Sequence, residues 1–169
     1  MPISLKQHFD MFAHYNQWAN ERLYQAAGAL SDTDYRADRG TFFKSIHGTL
    51  NHLLVTDRIW RQRLNGQGKA TDSLDTILYE DFPALYEARK IEDERIVSYV
   101  ASLTESGLSD VITYLPVSTT ELKTQVVAPA LAHWFNHQTH HRGQVHAMLT
   151  GLTGNAPELD LLFYQRLSK

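Results

Sequence analysis

Apolar residues recur every three or four positions in four long blocks, the period of a helix with one buried face. Leu5, Phe9, Phe12, Ala19, Leu23, Ala26 and Leu30 predict a first helix over 4–29, with Asn16 interrupting the stripe. A buried amide has several hydrogen-bonding valences to fill, and Asn16 is read as a core polar contact in preference to a site-lining residue. A second helix is expected from an N-cap at Thr41 to Asn65, its stripe formed by Phe42, Ile46, Leu50, Leu53, Asp57, Trp60 and Leu64. The connection from Gly66 to Tyr79 is long enough to be functional or mobile. Asp81 as N-cap and Pro83 in the first turn open a third helix to Leu103. Its middle, Arg89, Glu92 and Asp93, breaks the apolar pattern and reads as an exposed or snorkelling turn.

After Ser109 the period changes to two. Val111–Tyr114 and Leu122–Val127 predict a hairpin around Pro116–Glu121. Pro129 then suits the first turn of a fourth long helix, with Gly151 as its stop. A short last helix is expected over Glu158–Leu167. Four long amphipathic helices with moderate connections predict an all-α four-helix bundle carrying a small β-hairpin, one domain over 1–169.

The fourth helix concentrates the chemistry. Five of the nine histidines fall between His133 and His146. At about 100° per residue, His133, His137, His140, His141 and Gln144 share one sector, and His146 points away. Histidines four residues apart have Cβ atoms about 6 Å apart, so two ring nitrogens can converge on one cation at roughly 2.0–2.1 Å. Both His133/His137 and His137/His141 satisfy this spacing. On the second helix His47 and His52 lie on opposite flanks of the stripe, and periodicity does not choose between them. The competing interpretation is a solvated histidine face with one or two imidazoles hydrogen-bonded in the core.

Composition narrows the chemistry further. The chain has 169 residues, a net charge of −3 and no cysteine. Scattered basic residues disfavour nucleic-acid capture, and any transition-metal site must use histidine, carboxylate and water. No run of about 18 apolar residues suggests a membrane span, and the start lacks a signal-peptide pattern, so a soluble cytoplasmic protein is expected.

Three segments carry a resemblance that runs nearly end to end: Tyr15–Asn20; Ser45–His52 with Asp57–Trp60; and His137–Gln144. With these the chain resembles the DinB/YfiT-like family of metal-binding four-helix proteins. The resemblance implies three ligands to one divalent metal, His52, His137 and His141, selecting His52 over His47 and the later helical pair over the earlier one. Histidine ligands suit zinc, nickel, copper and iron alike; zinc or nickel is expected first, with iron, manganese or copper as further candidates. The resemblance also implies a homodimer, to which aromatic residues placed outside the core, Trp18 and Tyr24, would contribute.

Three neutral imidazoles leave a coordination position open, the mark of catalytic sites. The resemblance implies, as the leading expectation, a thiol-dependent S-transferase acting on a small electrophile, the thiol coming from a low-molecular-weight cofactor. A hydrolase with Glu92 or Asp93 as base is the alternative, and a non-catalytic metal-binding, stress-associated protein is the third reading. Asn16 and Gln144 are the candidate partners for the ligands' second nitrogens, and no catalytic residue is assigned. Metal affinity is expected to weaken as pH falls to the ordinary histidine pKa of about 6.5 and below.

Overall fold

A computed structural model describes residues 2–66, 73–117 and 119–167. The middle of the long connection, 67–72, and one hairpin-turn position, 118, lie outside the described residues. Helix α1 spans Leu5–Gly28, α2 Asp32–Arg36, α3 Ile46–Asn65, α4 Phe82–Ser102, α5 Val127–Thr153 and α6 Leu161–Leu167. Strands β1 (Val111–Tyr114) and β2 (Lys123–Val126) pair antiparallel with Val111 opposite Val126. The expected bundle and hairpin are both present. Helix α1 packs on α4 and α5, and α3 packs on the same two, so α1 and α3 occupy opposite corners. No helix among the described residues is long and apolar enough to cross a membrane.

Local chemistry explains the helix ends. Ser4 and Gln7 form a reciprocal capping box on α1, and Asp81 caps α4 by accepting from Ala84 N–H. Helix α3 begins at Ile46 under Ser45, four residues later than the expected Thr41 cap. Thr41 instead accepts from Lys44 N–H in a tight turn, and Lys44, at φ 65°, cannot continue a helix. Phe42, expected on the apolar stripe, is the exposed tip of that turn. The stretch after Ser31 holds the short helix α2, because Ser31 accepts from Asp34 N–H and two acidic residues occupy its first turn. Helix α5 runs past Gly151 and stops at Gly154, which has φ 71°. The last helix starts at Leu161, after Asp160 accepts from Leu162 N–H.

The apolar core is in two parts. One is built around Leu23, Tyr24, Ile46, Leu50, Leu85 and Leu149, the other around Phe9, Trp60, Ile96, Leu131, Trp134 and Phe135. Charged and amide side chains from all four long helices form a buried layer in the bundle. Arg89 of α4 is 2.5 Å from Asp57 of α3 and 2.9 Å from Asp93. Asp57 also accepts from Trp134 Nε1 at 2.6 Å and from Gln138. Asn16 and Asn20 donate to Asp93 and accept from Arg142. Glu92 pairs with Arg61 at 2.5 Å. Arg89 and Glu92 are wholly buried and Asp93 is 3% exposed, so the middle turn of α4 is neither exposed nor snorkelling. It faces complementary charge. Burial pushes the Asp93 carboxyl up to about 7, with Arg89 pulling in the opposite direction. Asn16 is the core polar contact expected of it.

Tyr24 is fully buried and donates to the Leu50 carbonyl, and Trp18 is half-buried against Tyr164 and Phe163. These two rings are therefore not the free aromatic surface from which a dimer was expected.

Candidate metal centre

His137 and His141 are one turn apart on α5, and His52 faces them from α3. Their Nε2 atoms converge: His137 is 3.4 Å from His52 and 3.1 Å from His141. Ligand nitrogens at roughly 2.0–2.1 Å from a tetrahedral ion lie about 3.3 Å from each other, so the spacing fits a common ion. Among the described residues, these three form the cluster of donors that could hold one.

Hydrogen bonds aim two of the rings. His52 donates from Nδ1 to the Leu74 carbonyl at 2.7 Å, and His141 donates from Nδ1 to Gln144 Oε1 at 2.8 Å. A proton held on Nδ1 leaves Nε2 as a lone-pair donor directed inward. His137 Nδ1 is buried without a partner, and a proton on its Nε2 could serve only one of the two facing lone pairs. Three convergent imidazoles are thus poorly satisfied by one another, and a cation between them would relieve the conflict.

Burial is the main cause that drives His52 down to about 4 and His137 to about 3. The Leu74 bond opposes the shift at His52, and the neighbouring imidazoles reinforce it at His137. His141 is lowered for the same first reason, opposed by Gln144. All three rings are accordingly neutral near pH 7, the protonation state a ligand requires.

The other sequence candidates have different roles. His47 bonds the Tyr79 carbonyl at 3.1 Å and lies against Arg36, pinning the connection before α4. His133 lies beside Trp60, outside the cluster. Of the two proposed outer partners, Gln144 is in place, whereas Asn16 is held in the ion layer with Arg142 and Asp93. Glu92 and Asp93 are likewise committed there.

Several supports escaped the sequence reading. Asn51 accepts from Leu78 N–H at 2.9 Å and Tyr79 N–H at 3.0 Å, fixing the chain that brings the Leu74 carbonyl to His52. The position of Asn51 next to His52 was the available signal. Phe43 stacks on His52 with centroids 3.7 Å apart and planes 19° apart. That approach depends on Gly48, because a Cβ there would collide with the Phe43 carbonyl oxygen, a backbone atom. Gly48→Ala is expected to destabilise the fold by about 1–3 kcal/mol through forced displacement of this turn. A urea midpoint unchanged from wild type would contradict that.

A cavity of about 290 Å³ opens beside His52 and His137, walled by Trp60, Tyr114, Leu74 and Val117. The hairpin contributes Tyr114, whose ring meets Trp60 edge-on at 5.6 Å. A larger apolar cleft of about 550 Å³, with Phe9, Phe12 and Phe135, lies between α1 and α5. Its lining includes His8 as its one titratable side chain, so the chemistry belongs to the smaller cavity.

The sequence model of the DinB family matches residues 1–168. Protein DinB of Bacillus subtilis (strain 168) is 28% identical over 144 residues, covering 80% of each chain. The fold is similar to the crystal structure of a DinB-like protein from Bacillus cereus ATCC 10987, with a TM-score of 0.66 at 13% identity, over 87% of this chain and 94% of that one.

Proposed function

This chain belongs to the DinB family, and from that premise we propose that it is a metal-dependent enzyme whose ion is held by His52, His137 and His141. The observation that carries the proposal is the convergence of three neutral Nε2 atoms beside a cavity. Zinc and nickel are the first candidates, and three imidazoles accept copper or iron as well. When bound, the ion supplies a positive charge that lowers the pKa of a thiol or water in its open position. Leu74 and Gln144 keep the ligand rings in the donating tautomer. Trp60, Tyr114 and Leu74 wall the cavity, and a substrate seated against them would displace water and strengthen the charge interactions within.

The reaction favoured is transfer of a small thiol to an electrophile. The chain has no cysteine of its own, so the thiol enters as a second substrate. The carboxylates considered as bases for a hydrolase, Glu92 and Asp93, belong to the buried ion layer, which makes hydrolysis the weaker reading.

Elemental analysis of untagged protein should find about one zinc or nickel per chain. Screens of low-molecular-weight thiols with small electrophiles should then show turnover that chelation abolishes. Turnover on ester or amide panels alone would favour the hydrolase, and tight metal retention without any turnover would favour a binding protein.

The pH dependence of metal affinity follows from the same geometry. Sequence alone placed its loss near pH 6.5. Rings already neutral in the folded protein do not compete with protons until pH approaches about 4 at His52 and about 3 at His137. Affinity should therefore persist below the ordinary histidine pKa of about 6.5 and be lost at lower pH, with His141, also lowered by burial but held up by Gln144, contributing to the fall. A competition titration showing a steep fall already at about pH 6.5 would contradict this assignment.

A further inference from the structure

Arg63 lies on α3 in the wall of the cavity that His52 and His137 border. Its guanidinium is 4.7 Å from the Trp60 ring centroid and 4.4 Å from that of Tyr114. Contacts over aromatic faces satisfy its charge through the ring quadrupoles and use none of its N–H donors. Among the described residues no carboxylate, carbonyl or hydroxyl accepts a hydrogen bond from it. Its neighbours on the helix differ: Arg58 and Arg61 both pair with Glu92. Arg63 is also half-buried, and loss of water is the first cause of the lowering of its pKa. It is close enough to His133 to depress that ring's basicity as well.

An arginine that is partly desolvated, flanked by aromatic rings and without an anionic partner among the described residues is incomplete in a specific way. A planar guanidinium matches a carboxylate through paired N–H bonds. Of the remaining walls, Thr56 and His133 are the polar exceptions, and Ile59, Leu74, Pro116 and Val117 are apolar. A ligand suited to them has a compact hydrophobic body and one anionic end. We propose that Arg63 anchors the carboxylate of a small organic acid, whose reacting group is thereby directed toward His52 and His137. The substrate class is a carboxylate with an apolar or aromatic body small enough for about 290 Å³. This rests on the proposed function for the meaning of "reacting group", but the anion subsite itself does not require a metal.

The test uses metal-free full-length protein near neutral pH, so that the ligand's carboxylate has no ion to bind. Calorimetric titration with phenylacetate should show saturable binding, one molecule per chain, at least about tenfold tighter than the neutral isostere phenylacetamide. Arg63→Gln should erase that preference, and Arg63→Lys, which keeps charge without the planar fork, should keep part of it. Both variants should take up zinc as wild type does, since Arg63 is not among the converging donors. An Arg63 that merely braced Trp60 against Tyr114 would give no charge selectivity. Equal affinity for the two ligands, an undiminished preference in Arg63→Gln, or inorganic phosphate competing as well as phenylacetate would each overturn the proposal. If Arg63→Gln fails to fold by circular dichroism, the wild-type ratio and Arg63→Lys decide. Absence of zinc uptake with the preference intact would count against the metal centre and leave the anion subsite standing.

Discussion

Replacing Arg89 by Met is expected to cost about 3–5 kcal/mol of folding stability, because it leaves the Asp57 and Asp93 carboxylates buried beside each other without the cation between them. That is a large share of the roughly 5–15 kcal/mol that holds a typical domain together. Met fills most of the volume, so the loss measures charge more than cavity. Adding Asp93→Asn to Arg89→Met removes one stranded charge and should recover part of the loss, with Asn16, Asn20 and Arg142 still nearby. Urea unfolding at constant m reads both effects. A loss under about 1 kcal/mol for the single variant would place the ion layer among weak surface-type pairs.

The second large effect is on metal. Replacing His52, His137 or His141 singly by Ala should reduce affinity more than about a hundredfold, because each removes a donor from a three-donor set. Gln144→Ala, which removes only the acceptor behind His141, should cost about ten- to a hundredfold. His146→Ala, on the other side of α5, should leave binding unchanged. The helical circular dichroism spectrum should persist in every case, since the core does not depend on these rings. Equal loss in the His146 control, or full retention after His137 and His141 are removed together, would falsify the ligand assignment.

The four long helices were legible because each buries one face, and one helix's own spacing records that. The ion layer was misread for the complementary reason. Arg89, Glu92 and Asp93 look misplaced on α4 alone, and only Asp57, Arg61 and the α1 asparagines opposite them make burial affordable in free energy. The histidine spacing on α5 narrowed the site to two pairs, but the partner across the interface was chosen by resemblance. Neither the Leu74 carbonyl nor the unpaired edge of Arg63 had a signal at all. A carbonyl is common to every residue, and whether an arginine has a partner depends on the chain brought opposite it. Thr41 and Ser45 are both good caps by type, and the left-handed Lys44 between them decides which one is used.

Two of the converging nitrogens ride on α5 and the third on α3. The separation within α5 is set by one helical turn, but the distance across is set by how closely the two helices pack. Coordination tolerates only about ±0.2 Å in ligand distance. The histidines therefore act as a caliper on the α3–α5 gap. Trp134 and Gln138, which tie α5 to Asp57 of α3, set the jaw of that caliper. Substitution of Gln138 should register as altered ion affinity, whereas loss of Trp134, a wholly buried core ring, should register as unfolding too.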